Sequence, residues 1–318
     1  MLQEFKNRVF GCVIIKSINS NFNADFTHHP RTLPDGIVYS TDKALKYCIK
    51  DYLRKNYSDE KLIYVKRYDT ESLNPLTLDK TYKTLFGDFP KVKKEKEEII
   101  RPEVLKNLLT CIDVRLFGAT FAAETNISIH GPVQINHGVN RYGENEIYTE
   151  DILSPFTTDE TAQMSTIGNQ TNLKEGHYVF HYSINPQNTY EFYEMINKGK
   201  NDNEKLMLST NDIDKLKEAF NNSVTALDSS RKIGTENEAT VWIQLKEKSK
   251  KMMPSLTELV TINESREIDF TKIDEIIKQI KDDIDKVEVY YNPVTTVIKG
   301  LAKNDNIKHI NILNNAEI

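Results

Sequence analysis

The run from Arg8 to Ser20, RVFGCVIIKSINS, is apolar and β-branched at successive positions rather than at alternate ones. A strand with one solvated face alternates apolar and polar residues, so this pattern predicts a buried central strand. The rest of the chain has to supply what covers it. The strand ends in a polar, turn-rich loop, Asn19-Ser20-Asn21-Phe22-Asn23-Ala24-Asp25, which continues through Thr27-His28-His29-Pro30-Arg31 to Pro34-Asp35-Gly36. A helix follows. Ser40 or Thr41 is its cap and Asp42 lies in its first turn. Leu45, Cys48, Ile49, Tyr52 and Leu53 recur at helical spacing and form one apolar face, while Lys43, Lys46, Lys50 and Arg54 fall on the other side.

Further along, Leu62 to Tyr68 reads as a short strand, and Lys91 to Glu98 as a solvated mixed-charge run. Pro102 suits a helix start, with Leu105, Leu108, Leu109 and Ile112 as an apolar face. A turn at Gly118 precedes a strand around Ile127 to Gln134. The segment Asn136 to Asn172 is polar and weakly periodic, an excursion from the core in the form of an extended hairpin. His177 to Asn185 returns to the sheet as a strand. Asp212 to Leu227 reads as a helix, Thr240 to Leu245 as a strand, Ile273 to Asp285 as a helix and Val287 to Tyr291 as a last strand, with a fraying tail from Asn304. Strand, helix, strand, strand, helix, strand is the split β-α-β order of ferredoxin-like or RRM-like domains, so the expected fold class is α+β.

A formal net charge of -5 excludes bulk attraction to nucleic acid, so any such binding has to come from a local basic face. The three cysteines, Cys12, Cys48 and Cys111, sit in apolar segments outside any ligand spacing and read as buried free thiols. No stretch approaches the roughly 18 to 20 apolar residues of a membrane span, so a cytoplasmic protein without membrane contact is expected. No metal site and no cofactor motif is read from the sequence.

Several constellations bear on function, each with two readings. Lys43, Lys46, Lys50 and Arg54 can bind successive phosphates of a single strand, or form an ordinary solvated face. Asn19, Asn21, Asn23 and Arg31 supply hydrogen-bonding groups that can hold phosphate or ribose oxygens. Asp25 can activate a hydroxyl or simply close an Asx turn. His28 and His29 form a tempting acid–base pair, yet adjacent side chains on an extended chain point apart. Gly131-Pro132-Val133-Gln134-Ile135-Asn136-His137-Gly138 can grip a sugar–phosphate strand through Gln134, Asn136 and His137, or be a hairpin turn. Met164 and Ile167 can wedge between bases or pack locally. The RNP1 pattern of base-reading RRM domains is missing.

Three blocks carry a resemblance to a known family: VFGCVIIKSINSNFNADF through YSTDKALKYCIKDYLRK, DVRLFGATFA followed by GPVQ, and STIGNQTNLKEGHYVFHYSIN. Together they resemble the CRISPR-associated backbone subunit of type I Cascade complexes in the RAMP superfamily, most like the type I-B and I-C branches. The resemblance implies an RRM-like palm over about 8–56, 102–135, 175–247 and 287–292. It also implies a finger-like insertion over about 57–101, a thumb-like arm over about 136–174 and a C-terminal helical extension over about 250–318, all in one domain. It implies a structural role without catalysis. Several copies polymerise head-to-tail along a CRISPR RNA, and guide bases remain free to pair with target DNA. The other partners are the remaining Cascade subunits: a Cas-five-type cap, a large subunit, a small subunit and a guide-processing endonuclease. The expected RNA contacts are Asn19, Asn21, Asn23, Arg31, Lys43, Lys46, Lys50, Arg54, Gln134, Asn136, His137, Arg141, Met164, Ile167 and Lys174. The chain departs from its relatives where Phe22 and Ala24 replace Pro and Gly, where Arg141 is displaced from GPVQ, and where Thr166-Ile167-Gly168-Asn169-Gln170 lacks basic residues. Two rival classes stand beside this reading: an endoribonuclease of the same superfamily using Asp25 or His28, and a scaffold that binds no RNA.

Overall fold

The computed structural model describes residues 3–90, 100–153, 166–201 and 205–318, with side chains of 166–167 left out. In chain order its elements are β1 (Val9–Ser20), β2 (Tyr39–Ser40), α1 (Asp42–Asn56), α2 (Leu78–Phe86), α3 (Ile100–Leu109), α4 (Ile112–Phe117), β3 (Gly118–Ala122) and β4 (Asn126–His130). Then come β5 (Val133–Ile135), β6 (Gly138–Asn140), β7 (Ile147–Leu153), β8 (Thr166–Ile184), α5 (Tyr190–Asn197), α6 (Thr210–Asn222) and β9 (Thr235–Leu245). The chain closes with β10 (Thr261–Ile262), β11 (Glu267–Asp269), α7 (Thr271–Gln279), β12 (Ile284–Tyr291), β13 (Val297–Lys299) and β14 (Ile307–Asn311). The protein is a mixed α+β structure.

The expected central strand is central. The main sheet runs β14-β12-β9-β1-β8-β6-β2, with β5 and β7 also paired to β8. β1 is antiparallel to both of its neighbours, β8 and β9. Its side chains alternate between two cores, as the pleat requires. Val9, Val13 and Ile15 join one apolar cluster with residues of α1, α4 and α6. Phe10, Cys12 and Ile14 join another with Phe270, Ile273 and Ile277 of the α7 region. Successive apolar residues in β1 thus reflect two covered faces. The three cysteines are buried and unpaired, and burial pushes the Cys12 and Cys48 thiols up to about 12.

α1 starts where the sequence placed it. The Thr41 hydroxyl accepts the Ala44 amide at 3.4 Å, and Leu45, Cys48, Ile49 and Leu53 are buried. Tyr52 and Tyr57 donate their hydroxyls to the two oxygens of Glu218 on α6, at 2.7 and 2.5 Å. α6 carries a capping box between Ser209 and Asp212. Asp212 also takes the Arg115 guanidinium of α4 at 2.7 and 3.1 Å, and the same guanidinium reaches Glu60 at 3.0 Å. This network joins α4, α6 and the segment after α1 on one face of the sheet.

Several expectations are corrected. Leu62 to Tyr68 is irregular, because the buried Asp113 carboxylate accepts the Ile63 and Tyr64 amides at 3.2 and 2.8 Å and so takes the donors a strand partner would use. The helix expected through Ile112 breaks between α3 and α4, where the Thr110 hydroxyl donates to Asn107 O at 2.6 Å. The strand through Gln134 splits at Gly131-Pro132: β4 pairs with β3 in a separate two-stranded ribbon, and β5 pairs with β8. The excursion over 136–172 begins inside the sheet as β6, and its protruding part is the antiparallel hairpin of β7 and β8. The C-terminal region holds one α-helix, α7, among strands. β12 and β14 extend the main sheet, and β10, β11 and β13 form a small one. The tail does not fray, because Ile307 and Ile312 are buried and the Ile318 amide donates to His309 O at 2.9 Å. The run Lys91 to Glu98 lies outside the described residues.

The Arg115 network is buried on both sides, so removing the cation leaves the Asp212 carboxylate without its ion-pair partner and Glu60 with Lys215 alone. Arg115→Ala should lower unfolding free energy by about 3–5 kcal/mol, read as a drop in urea midpoint with the slope unchanged.

Candidate nucleic-acid interface

α4 ends at Gly118, which takes φ +75° and donates its amide to Val114 O. Gly118 and Gly131 lie against each other. A Cβ on Gly118 would stand 2.1 Å from Ile129 O, and one on Gly131 would stand 2.1 Å from the Phe117 carbonyl carbon. The close approach these glycines permit is therefore to their own chain. It folds the β3–β4 ribbon back across the end of α4 and brings the GPVQ segment beside α1.

The result is a groove of about 330 Å³ lined by Lys43, Lys46, Lys50, Tyr64, Phe117 and Gln134, with Gly118 and Gly131 on its floor. Lys43, Lys46 and Lys50 of α1 thus meet Gln134, whose side-chain amide donates to Gly131 O at 2.8 Å. Among the groove residues that the sequence does not single out are two aromatic ones, Tyr64 and Phe117. The Lys50 ammonium lies 5.1 Å from the Tyr64 ring centre and 5.8 Å from that of Phe117, and the Lys46 ammonium 5.7 Å from Phe117. No sequence periodicity links these rings to α1, because the Asp113 clamp that sets them there is a tertiary contact.

The cations differ in how they are neutralised. Lys43 and Lys46 share the Asp42 carboxylate at 2.8 and 3.1 Å. Burial works to raise the Asp42 pKa, but hydrogen bonds from Lys43 and Lys46 outweigh it and hold the carboxyl below its usual range. Arg54 and Lys55 share Asp51, each at 2.8 Å. Lys50 makes no ion pair among the described residues. Burial pushes its ammonium below the usual lysine range, and the buried Asp113 opposes this. Asp113 is in turn raised by burial, with Lys50 and the Tyr64 and Ile63 amides acting against it. A half-buried cation without a carboxylate partner is an anion site in waiting.

The other expected contacts fall in three places. His137 stands at the start of α1, with Nδ1 3.6 Å from Asp42 Oδ1, next to the groove. Asn23 faces α1 from behind, its Oδ1 accepting the Thr41 amide and hydroxyl at 2.9 Å each. Asn19, Asn21 and Lys174 hold the root of the hairpin: Asn19 accepts from Tyr148 at 3.3 Å, Asn21 donates to Thr171 O at 3.2 Å, and Lys174 pairs with Glu146 at 2.7 Å. Asn136 and Arg141 turn toward the C-terminal region instead. Asn136 donates to Thr257 at 3.2 Å, and Arg141 pairs with Glu258 at 3.0 Å. Arg31 has a buried Nε without a hydrogen-bond partner. Arg54 lines a second concavity next to the groove. Met164 and the Ile167 side chain lie outside the described residues. Asp25 closes its own turn, accepting the Thr27 amide and hydroxyl at 2.8 Å each and the His29 amide at 3.0 Å.

Fold and groove define an α+β protein with a lysine-lined groove in a chain of net negative charge. Residues 7–289 match the family model of CRISPR-associated protein Cas7, and the chain belongs to that family. Among solved structures it is similar to a chain of a "CRISPR RNA-guided surveillance complex, pre-nicking", with a TM-score of 0.52 and 10% identity over 92% of this chain and 96% of that one. It is also similar to a chain of a "CRISPR RNA-guided surveillance complex", with a TM-score of 0.49 and 13% identity over 89% and 88% of the two chains. At 10% identity the first likeness speaks to fold alone. No curated protein matches the chain. The family placement agrees with the resemblance carried by the DVRLFGATFA and GPVQ blocks.

Two outcomes test this geometry. Gly118→Ala should lower the urea midpoint, at a cost of roughly 2 kcal/mol or more from the positive φ and the blocked contact. Asp42, whose folded pKa is depressed, contributes stability that is complete above the ordinary aspartate pKa of about 3.9 and is lost as pH falls through the folded value. Between pH 4 and pH 2 the wild-type midpoint should therefore fall more steeply than that of Asp42→Asn.

Proposed function

We propose that this chain is a CRISPR RNA-binding backbone subunit of a type I Cascade complex. What carries the reading is the meeting of Lys43, Lys46 and Lys50 with Gln134 in one groove, in a chain of this family. The strand order β9-β1-β8-β5, with α1 and α6 as the intervening helices, supports an RRM-like palm, since β1 is antiparallel to β8 and β9, and β5 is antiparallel to β8. The β7–β8 hairpin is the thumb, and the segment around α2 is the finger. Copies associate head-to-tail along the guide, with the other Cascade subunits at its ends and flanks, and target DNA is read by pairing to guide bases.

Lys43 and Lys46 exchange part of their hold on Asp42 for phosphate oxygens, and Lys50 gains the anion it lacks. Binding through such contacts is indifferent to base identity and sensitive to salt. The reading assigns no cleavage step. Asp25, the residue an endoribonuclease of this superfamily would use, holds Thr27 and His29 in a turn, which supports a structural role for it.

The experiment is co-purification followed by salt-dependent RNA binding. Wild-type protein should elute with bound RNA as large particles. Lys46→Ala/Lys50→Ala should bind a single-stranded RNA at least tenfold more weakly, with a log–log salt slope shallower by about 1.4, or 0.7 per lost phosphate contact. Asp42→Asn should bind more tightly, because it releases two lysines from their carboxylate. Regularly spaced cuts in guide or complementary RNA, abolished by Asp25→Ala, would overturn the non-enzymatic reading. An RNA-free monomer would overturn the backbone role.

A further inference from the structure

The groove does not stop at Lys50. A second concavity of about 320 Å³ adjoins it, and Lys50 and Tyr64 line both. Its other walls are Tyr47, Asp51 and Arg54 on α1, with Arg54 held by Asp51 at 2.8 Å, and Val65, Lys66, Arg67 and Tyr68 on the irregular segment clamped by Asp113. Cations and tyrosines alternate around it. Tyr47 is 52% exposed and Tyr68 55% exposed, which is unusual for rings this large in a fold whose other tyrosines are mainly packed. The Lys66 ammonium stands 4.8 Å from the Tyr68 ring centre, and that of Lys50 stands over Tyr64. The Tyr64 hydroxyl and Arg67 Nε are buried without hydrogen-bond partners. Three cations without an ion pair among the described residues (Lys50, Lys66 and Arg67), two exposed rings and two unanswered donors therefore meet at one spot, where a strand leaving the phosphate groove would pass.

We propose that this second concavity holds one unpaired nucleotide of the bound RNA, its phosphate at Lys50 and its base against Tyr47 and Tyr68. This rests on the RNA-binding reading above and adds a base-contacting site to it. Each base offers a π-face, so stacking there is tolerant of sequence, in keeping with a protein that leaves base identity to pairing. A protein ligand would be held differently, since nothing in an acidic peptide needs two flat rings as well as three unpaired cations.

The test compares a single-stranded RNA oligonucleotide with an abasic oligonucleotide of the same length and backbone. For the wild type the intact strand should bind more tightly, with one stacked base contributing about tenfold. Tyr47→Leu/Tyr68→Leu should narrow that gap by about tenfold while leaving the salt slope and the abasic affinity unchanged. Lys46→Ala/Lys50→Ala should weaken both strands and reduce the slope. If the tyrosine variant keeps the full gap, the nucleotide pocket is wrong and the phosphate groove stands. If wild-type protein binds neither strand, both readings fall together. If an acidic peptide binds the pocket in place of RNA, sensitive to both tyrosines, the site belongs to a protein partner and the proposal is overturned.

Discussion

The structure depends on a single strand buried from both sides. Val9, Val13 and Ile15 of β1 must be covered by helices, and Phe10, Cys12 and Ile14 by the C-terminal region. Burying a side chain of this kind stabilises the fold by roughly 1.5–3 kcal/mol each before conformational entropy is counted. Neither face can be left open. The helical cover brings α1 onto the sheet, and with it the cation row. The C-terminal cover draws Asn136 and Arg141 toward Thr257 and Glu258, away from that row. One constraint thus decides which polar residues are available at the surface and which hold the molecule together.

Charge in the groove follows from how carboxylates are shared. Asp42 serves two lysines, Asp51 serves an arginine and a lysine, and Asp113 gives its oxygens to backbone amides. The chain can carry a net charge of -5 and still present local cations, because its carboxylates are distributed elsewhere or doubly engaged. Asp42 and Asp51 are largely buried, yet each is also held by an exposed cation, Lys43 and Lys55, whose pairing contributes little to stability. Those two cations can leave their carboxylates at small cost, and Lys50 has no ion pair among the described residues to give up.

The parts of this fold governed by local periodicity were legible in the sequence. β1, α1, α6 and β12 stand close to where apolar spacing and capping residues place them, since each declares its buried face in its own residues. Segments settled by a distant side chain were not legible. Leu62 to Tyr68 has the composition of a strand, yet Asp113 removes its hydrogen-bonding amides. Nothing near Gly131 in the sequence announces that the space beside it is filled by the chain's own backbone at Phe117 and Gly118. The groove was half visible: helical spacing aligned the lysines, and no local pattern placed Tyr64 and Phe117 beneath them. A hint was available in Tyr64, Lys66, Arg67 and Tyr68, where cations and aromatics alternate as they do in single-strand binding surfaces.

β8 is 19 residues long and belongs to the hairpin at one end and to the centre of the sheet at the other. It pairs with β7 from Leu173 outward and with β1 from Leu173 inward. No loop intervenes between the two regions, so the hairpin is a cantilever rather than a hinged flap. A pull along it loads the β1–β8 ladder in shear, with many hydrogen bonds sharing the force at once instead of parting one by one. Its reach is therefore a fixed length measured from the core, and a row of such chains would inherit its spacing from a strand rather than from a joint.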